Sequence, residues 1–164
     1  MKLGLCTWSY NRSLGFHDKK TKKIDFEQML HICAKDLKVG GVDIISDLLP
    51  SMDKSYLNKI KKLCTDLHLT ISCLSPGNNF CQEDEFALKG QIEYVRKQLD
   101  AAVILGAPIL RVFAGWISKD KQKKVWPNVV RAFKISAKDA EERGVTLAIE
   151  SHNDGGILPS SVAM

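Results

Sequence analysis

A chain of 164 residues that is 45% hydrophobic and 26% charged has the composition of one folded domain rather than of a disordered segment. Its 24 basic and 19 acidic residues leave a net charge of +5, basic but far less clustered than a dedicated nucleic-acid binder requires. No run approaches the roughly 18 consecutive apolar residues of a membrane span, and Met1 to Leu5 lead into polar residues rather than a signal-peptide core. The expected address is therefore the cytoplasm, with neither a membrane nor a nucleic acid as partner.

Along the chain, short β-branched or apolar runs alternate with longer stretches of helical period, the pattern of repeated βα units on a parallel sheet. The first strand is expected over residues 3–7. A helix then starts at Asp25, whose carboxylate caps it while Gln28 completes a capping box, with Phe26, Leu30, Cys33 and Leu37 as its inner stripe. The second strand, 42–45, leads to a helix over 53–67 that turns Tyr56, Ile60, Leu63 and Leu67 inward and keeps Lys54, Lys59, Lys61 and Lys62 outside. After the third strand, 69–74, Leu88, Ile92, Val95, Leu99 and Ala102 recur at spacings of three and four until Gly106-Ala107-Pro108 stops the helix. The fourth strand, 109–113, precedes a helix over 126–143 with Pro127 in its first turn, Val130, Phe133, Ala137 and Ala140 inward, and Gly144 as its terminal cap. The fifth strand is 146–150. Strands roughly 30 to 40 residues apart leave room for crossover helices.

No composition shift divides the chain, so residues 1–164 read as a single domain. After Glu150 comes a polar loop and then Leu158-Pro159-Ser160-Ser161-Val162-Ala163-Met164, where a serine stands ready to cap a helix with no residues left to form it. Four βα units and one strand match the first part of a closed β/α barrel, which takes about 250 residues for eight units. A partial barrel and an intact open five-stranded sheet both satisfy the spacing. Cys6, Cys33, Cys64, Cys73 and Cys81 are odd in number and show no C-x-x-C pair, so they read as buried apolar residues rather than a disulfide framework or zinc knuckle. Two loops are lysine-rich, one with Lys19, Lys20, Lys22 and Lys23, the other with Lys119, Lys121, Lys123 and Lys124. They are solvated surface or attract an anionic sugar phosphate.

In either architecture the ligand site lies at the carboxyl ends of the strands. Cys6 to Tyr10, Ser46-Asp47, Leu74 to Phe80, Arg111 to Trp116 and Glu150-Ser151-His152-Asn153 occupy those positions. Glu150 ends the apolar run Thr146-Leu147-Ala148-Ile149, where a carboxylate is costly unless a metal, a cation or hydrogen bonds compensate it. Arg111 on the preceding strand is one compensating partner. Alternatively, Glu150 and His152 offer an oxygen and a nitrogen ligand, or a base and a polar substrate contact. No G-x-G-x-x-G or G-x-x-x-x-G-K loop supports nucleotide binding.

The segments Leu110-Arg111-Val112-Phe113-Ala114-Gly115 and Leu147-Ala148-Ile149-Glu150-Ser151-His152-Asn153, in this order on successive strands, resemble the sugar phosphate isomerase/epimerase family of xylose isomerase-like TIM barrels. The resemblance runs from Leu3 to about Val162 and covers the first five of the family's eight units. It implies a truncated α/β barrel of five parallel strands with four crossover helices. It also implies a divalent metal, manganese, magnesium, cobalt or zinc, with Glu150 as fifth-strand ligand and acid/base. By the same resemblance His152 and Asn153 fall on active-site polar positions, and Trp8 and Trp116 in loops that wall the sugar, while Arg111 is expected beside Glu150 at the substrate. The sixth, seventh and eighth strands carry the family's other metal ligands, so this chain alone is expected to bind metal weakly and to turn over no substrate. The implied partners are a sugar or sugar phosphate and, for the open barrel, a second copy or a missing barrel half. The apurinic endonucleases of the superfamily place histidines after the third and fourth strands, where this chain has Leu74-Ser75-Pro76 and Phe113-Ala114-Gly115.

Overall fold

The computed structural model describes residues 3–152 and 156–157. It forms one sheet of five parallel strands in sequence order, β1 (Gly4–Cys6), β2 (Gly41–Ile45), β3 (Thr70–Ser75), β4 (Ile109–Phe113) and β5 (Thr146–Glu150). Four helices make the crossovers: α1 (Phe26–Lys35), α2 (Lys54–Asp66), α3 (Glu85–Leu105) and α4 (Gln122–Glu142). Unshuffled parallel strands with a helix between each pair are the topology of a β/α barrel and not of a doubly wound sheet. The sequence reading of five strands and four crossovers is therefore correct, with the strand boundaries within a residue and the start of α4 four residues earlier than expected.

Alternation within the strands separates two faces. Val42 and Ile44 of β2, Ile71 and Leu74 of β3, and Leu110 and Val112 of β4 are buried with the helices and make the core. Ile71 and Leu74 are three apart, so a regular strand would send them to opposite faces. A bulge reconciles them: Val42 pairs with Ile71 but Asp43 with Cys73, so Ser72 is the extra residue, its hydroxyl donating to the Val42 carbonyl at 3.0 Å. Register then lines up Cys6, Asp43 and Cys73 on the other face.

The helices follow local chemistry at their starts. Asp25 Oδ1 accepts from the Gln28 amide at 2.7 Å and Gln28 Oε1 accepts from the Asp25 amide at 2.9 Å, the expected capping box. α3 ends where Gly106 takes a left-handed φ of 75°, as a residue without Cβ allows. Three inward stripes differ from the periodicity reading. α1 stops at Lys35, so Leu37 lies beyond it and is exposed. α2 buries Leu57, Ile60 and Cys64, leaving Tyr56, Leu63 and Leu67 half-buried at the flanks. α4 begins at Gln122, directly after a 3₁₀ turn over Lys119–Lys121, and buries Val125, Val129, Ala132, Ser136 and Ala140. Val130 and Phe133 are consequently half-buried and Ala137 exposed. Pro127 sits in the second turn of α4, where the helix forgoes one backbone hydrogen bond. The reason is common to α2 and α4: when apolar residues occupy two adjacent stripes, contact with the sheet decides which one is buried.

Candidate functional site at the carboxyl ends of the strands

The inward face of the sheet opens at its carboxyl end into a cavity of about 410 Å³. Its floor carries Asp43 from β2, Ser75 from β3, Arg111 from β4 and Glu150 from β5. Its walls are aromatic: Trp8 and Phe16 from the segment after β1, Phe113 and Trp116 from the end of β4. A second hollow of about 610 Å³, lined by Arg12, Ser13, His17, Asp18, Thr21 and Lys23, takes no residue from any strand. The convergent polar groups mark the former as the candidate site.

Arg111 and Glu150 meet as the sequence anticipated. Arg111 Nε lies 2.9 Å from Glu150 Oε2, with the arginine side chain 15% exposed and the glutamate 47%. Register explains the approach, because Phe113 pairs with Glu150 and Arg111 with Ala148, so all three point into the cavity. The guanidinium also stands over the Phe113 ring, 4.1 Å from its centroid. Its Nη1 is buried with no hydrogen-bond partner. A guanidinium that is paired at one edge and vacant at another keeps a donor for an oxygen arriving in the cavity.

Asp43 went unrecognised in the sequence, although the signal was the one used for Glu150: a carboxylate inside an apolar strand, Gly41-Val42-Asp43-Ile44-Ile45. Ser75 Oγ donates to Asp43 Oδ1 at 2.7 Å. Burial pushes the neighbouring Cys6 thiol up, with the Asp43 carboxylate adding to the effect, and burial raises the Cys73 thiol as well. Both cysteines therefore stay protonated neighbours of the cavity floor near neutral pH.

His152 packs edge-on against Phe113 and Trp116, with ring centroids 5.5 and 5.4 Å away. Trp116 pairs with Gly156 in an antiparallel bridge, and the Ile157 amide donates to the Gly115 carbonyl at 3.1 Å, which closes the chain over this corner. Trp8 forms the opposite cluster, edge-on to Phe16 at 5.0 Å and to His17 at 5.9 Å. The site thus gathers Glu150, Arg111, His152, Trp8 and Trp116 around one cavity; Asn153 lies outside the described residues. His31 and His68 are exposed on α1 and at the turn before β3.

Two asparagines that periodicity could not flag hold the β4 corner. β3 and β4 share one paired position, Leu74 with Leu110, and the chain leaves the sheet at Pro76. Fully buried Asn78 replaces the departed strand. Its Oδ1 accepts from the Phe113 amide at 2.9 Å and its Nδ2 donates to the Phe113 carbonyl at 2.8 Å. Asn79 Oδ1 accepts from the Cys81 and Trp116 amides at 2.9 and 3.2 Å. Gly115, at φ 117°, leaves the space that this amide fills.

The lysine loops do not reach the cavity. Lys121 and Lys124 both clamp Glu83, at 2.7 and 2.6 Å, and hold its carboxyl at about 2, well below the usual range. None of Lys19, Lys20, Lys22 and Lys23 lines the cavity either. Of the two sequence readings, the solvated surface is the one these positions fit.

Residues 33–162 match the xylose isomerase-like TIM barrel family, and the chain belongs to it. It is 28% identical over 162 residues to the C-glycoside deglycosidase alpha subunit of Microbacterium trichothecenolyticum, covering 92% of this chain and 38% of that one. Among solved structures it resembles D-psicose 3-epimerase from Clostridium cellulolyticum H10, crystallised with D-tagatose (TM-score 0.76, 18% identity, 97% of this chain and 55% of that one). It also resembles the IOLI protein with a bound zinc atom (TM-score 0.74, 17% identity, 96% and 54%). At these identities the structural likenesses establish the barrel fold. The chain spans about half the length of these barrels and less than half of the curated relative.

Among the described residues no three His, Cys, Asp or Glu side chains are grouped to hold a metal ion. Glu150 is one carboxylate already paired with Arg111. Glu150 and His152 line the same cavity, and a metal ion held there would complete its coordination with donors from outside the described residues.

Proposed function

We propose that this chain provides the first five strands of a sugar isomerase or epimerase barrel, in which Glu150 moves the proton next to a substrate carbonyl. The observation that carries the reading is the Arg111–Glu150 pair at the carboxyl end of adjacent inward-facing strands, in a cavity walled by aromatic rings. Abstraction of an α proton leaves an enediolate, whose oxygen gains negative charge as the bond breaks. Glu150 accepts that proton, and Arg111 fixes the carboxylate and offers its unpaired Nη1 to the oxygen that becomes charged. Return of the proton to the neighbouring carbon, with a hydroxyl proton passing between the two oxygens, gives isomerisation, whereas epimerisation takes its proton on the opposite face from a second acid outside the described residues. Trp8 and Trp116 narrow the access of water.

A divalent ion of the kind named for the zinc-bound relative would add Lewis-acid polarisation of the substrate oxygens, with Glu150 as one ligand and the others from outside the described residues. The 164-residue chain alone is then expected to show negligible interconversion of ketoses with manganese, magnesium or cobalt. A barrel completed by three further βα units, in one chain or by complementation, is expected to be active and to lose activity on Glu150→Gln. Turnover by the short chain, or full turnover by the Glu150→Gln barrel, overturns the reading.

A second reading is a non-catalytic half-barrel that joins a second copy or a complementary chain. It is favoured by Ile149, which lies on edge strand β5 and is 52% exposed. The curated relative is itself described as an alpha subunit.

A further inference from the structure

We infer that this cavity selects an uncharged sugar bearing an apolar or aromatic substituent, with Trp8 and Phe16 as the platform for that substituent, and rejects sugar phosphates. The inference rests on the sugar-site reading above and names the ligand class within it.

Charge is the first argument. Among the described residues three carboxylates line the cavity, Asp43, Asp47 and Glu150, against the single guanidinium of Arg111 and no lysine. Arg111 is already neutralised by Glu150 at 2.9 Å, and Lys121 and Lys124, which follow β4, are committed to Glu83. A phosphate dianion would enter a net negative field with no free cation among the described lining residues, whereas hydroxyl groups find acceptors in the carboxylates and a donor in Arg111 Nη1.

The placement of the aromatic rings is the second argument. They fall into two separate clusters on strands that are not neighbours: Phe113, Trp116 and His152 over β4 and β5, and Trp8, Phe16 and His17 after β1, with β2 and β3 between. The polar floor residues Arg111 and Glu150 belong to the first cluster, so the sugar hydroxyls are satisfied there. Trp8 and Phe16 line the same cavity while remaining 42% and 43% exposed, so they put apolar surface at its rim. A bare sugar that occupies the β4–β5 side leaves this surface wet. An attached ring or alkyl group covers it.

Binding of three probes to the 164-residue chain, followed by saturation-transfer NMR and calorimetry, tests this: phenyl β-D-glucoside, methyl β-D-glucoside and glucose 6-phosphate. The phenyl glucoside is expected to bind about tenfold more tightly than the methyl glucoside, the gain typical of burying one aromatic ring against others. Phe16→Ala, and more so Trp8→Ala combined with Phe16→Ala, should bring that ratio close to one. Glucose 6-phosphate should bind at least about tenfold more weakly than methyl glucoside, and the difference should shrink in high salt. Equal affinity for the two glucosides, a ratio unchanged in the double variant, or phosphate binding as tight as the glucosides overturns the inference and leaves the sugar-site reading standing. A chain that is folded by circular dichroism yet binds none of the three overturns the inference, while the sugar-site reading is decided by the completed barrel and its Glu150→Gln variant.

Discussion

Arg111 is held by an ion pair at one edge and an aromatic face below, while its buried Nη1 has no acceptor. The arrangement is costly for folding and useful for binding, because an unsatisfied buried donor recovers its lost hydration only when an oxygen arrives. Arg111→Met keeps the aliphatic stem over Phe113 and removes the orphan donor. It is expected to change folding stability by less than about 1.5 kcal/mol, since the half-exposed Glu150 carboxylate regains water, while sugar affinity falls about tenfold. Urea unfolding and ligand titration on the same protein separate the two effects.

At Glu83 the expected behaviour is a pH dependence. Its carboxyl is held at about 2 by hydrogen bonds from Lys121 and Lys124, against an ordinary value of 4.5. A depressed folded value means that the clamp's stabilisation is complete above 4.5 and is lost as pH falls from 4.5 through 2. Carboxyl NMR titration should give a midpoint near 2 that moves upward in high salt, as befits an exposed clamp. A midpoint near 4.5 at low salt rules the clamp out.

At the scale of elements, the β4 corner depends on side chains that imitate backbone. Asn78→Ala would leave the Phe113 amide and carbonyl buried without partners, and a loss of roughly 2–4 kcal/mol in urea unfolding is expected. Asn78→Asp provides a control, since it keeps the acceptor and loses the donor. Should Asn78→Ala unfold at the same urea concentration as the parent, the corner is held by something else. Asp25→Ala, which removes one half of the α1 capping box, should cost about 1 kcal/mol and leave the cavity ligands unaffected.

For the whole molecule, β1 and β5 each have one strand neighbour among the described residues, and the helix layer ends at α4. Ile149 pairs with Val112 and points to the same side; there Val112 is fully buried while Ile149 is half-exposed. A parallel edge with an uncovered apolar residue is a template for another strand. The 164-residue chain is accordingly expected to elute above its 18.3 kDa monomer mass at high concentration, and Ile149→Lys to shift it toward the monomer. Monomeric elution at every concentration counts against the half-barrel reading.

What the sequence determined by itself is what short-range chemistry encodes. Strands β4 and β5 were legible from their apolar runs, α1 from its Asp25 cap, the end of α3 from Gly106, and Glu150 from being a carboxylate where the strand should be apolar. The tertiary structure decided what depends on contacts between distant residues. Whether Leu57 or Tyr56 faces the sheet is settled by the neighbour it meets, because both lie on adjacent stripes of one helix. Ile71 and Leu74 share a face only because pairing with β2 admits a bulge at Ser72. Asp43 lies in an apolar run like that of Glu150, yet its role became visible only with Ser75 beside it, 32 residues away. Trp8 and Phe16 became a cavity wall on the same principle, since a periodic pattern specifies the face of one element, and a site is the place where several faces converge.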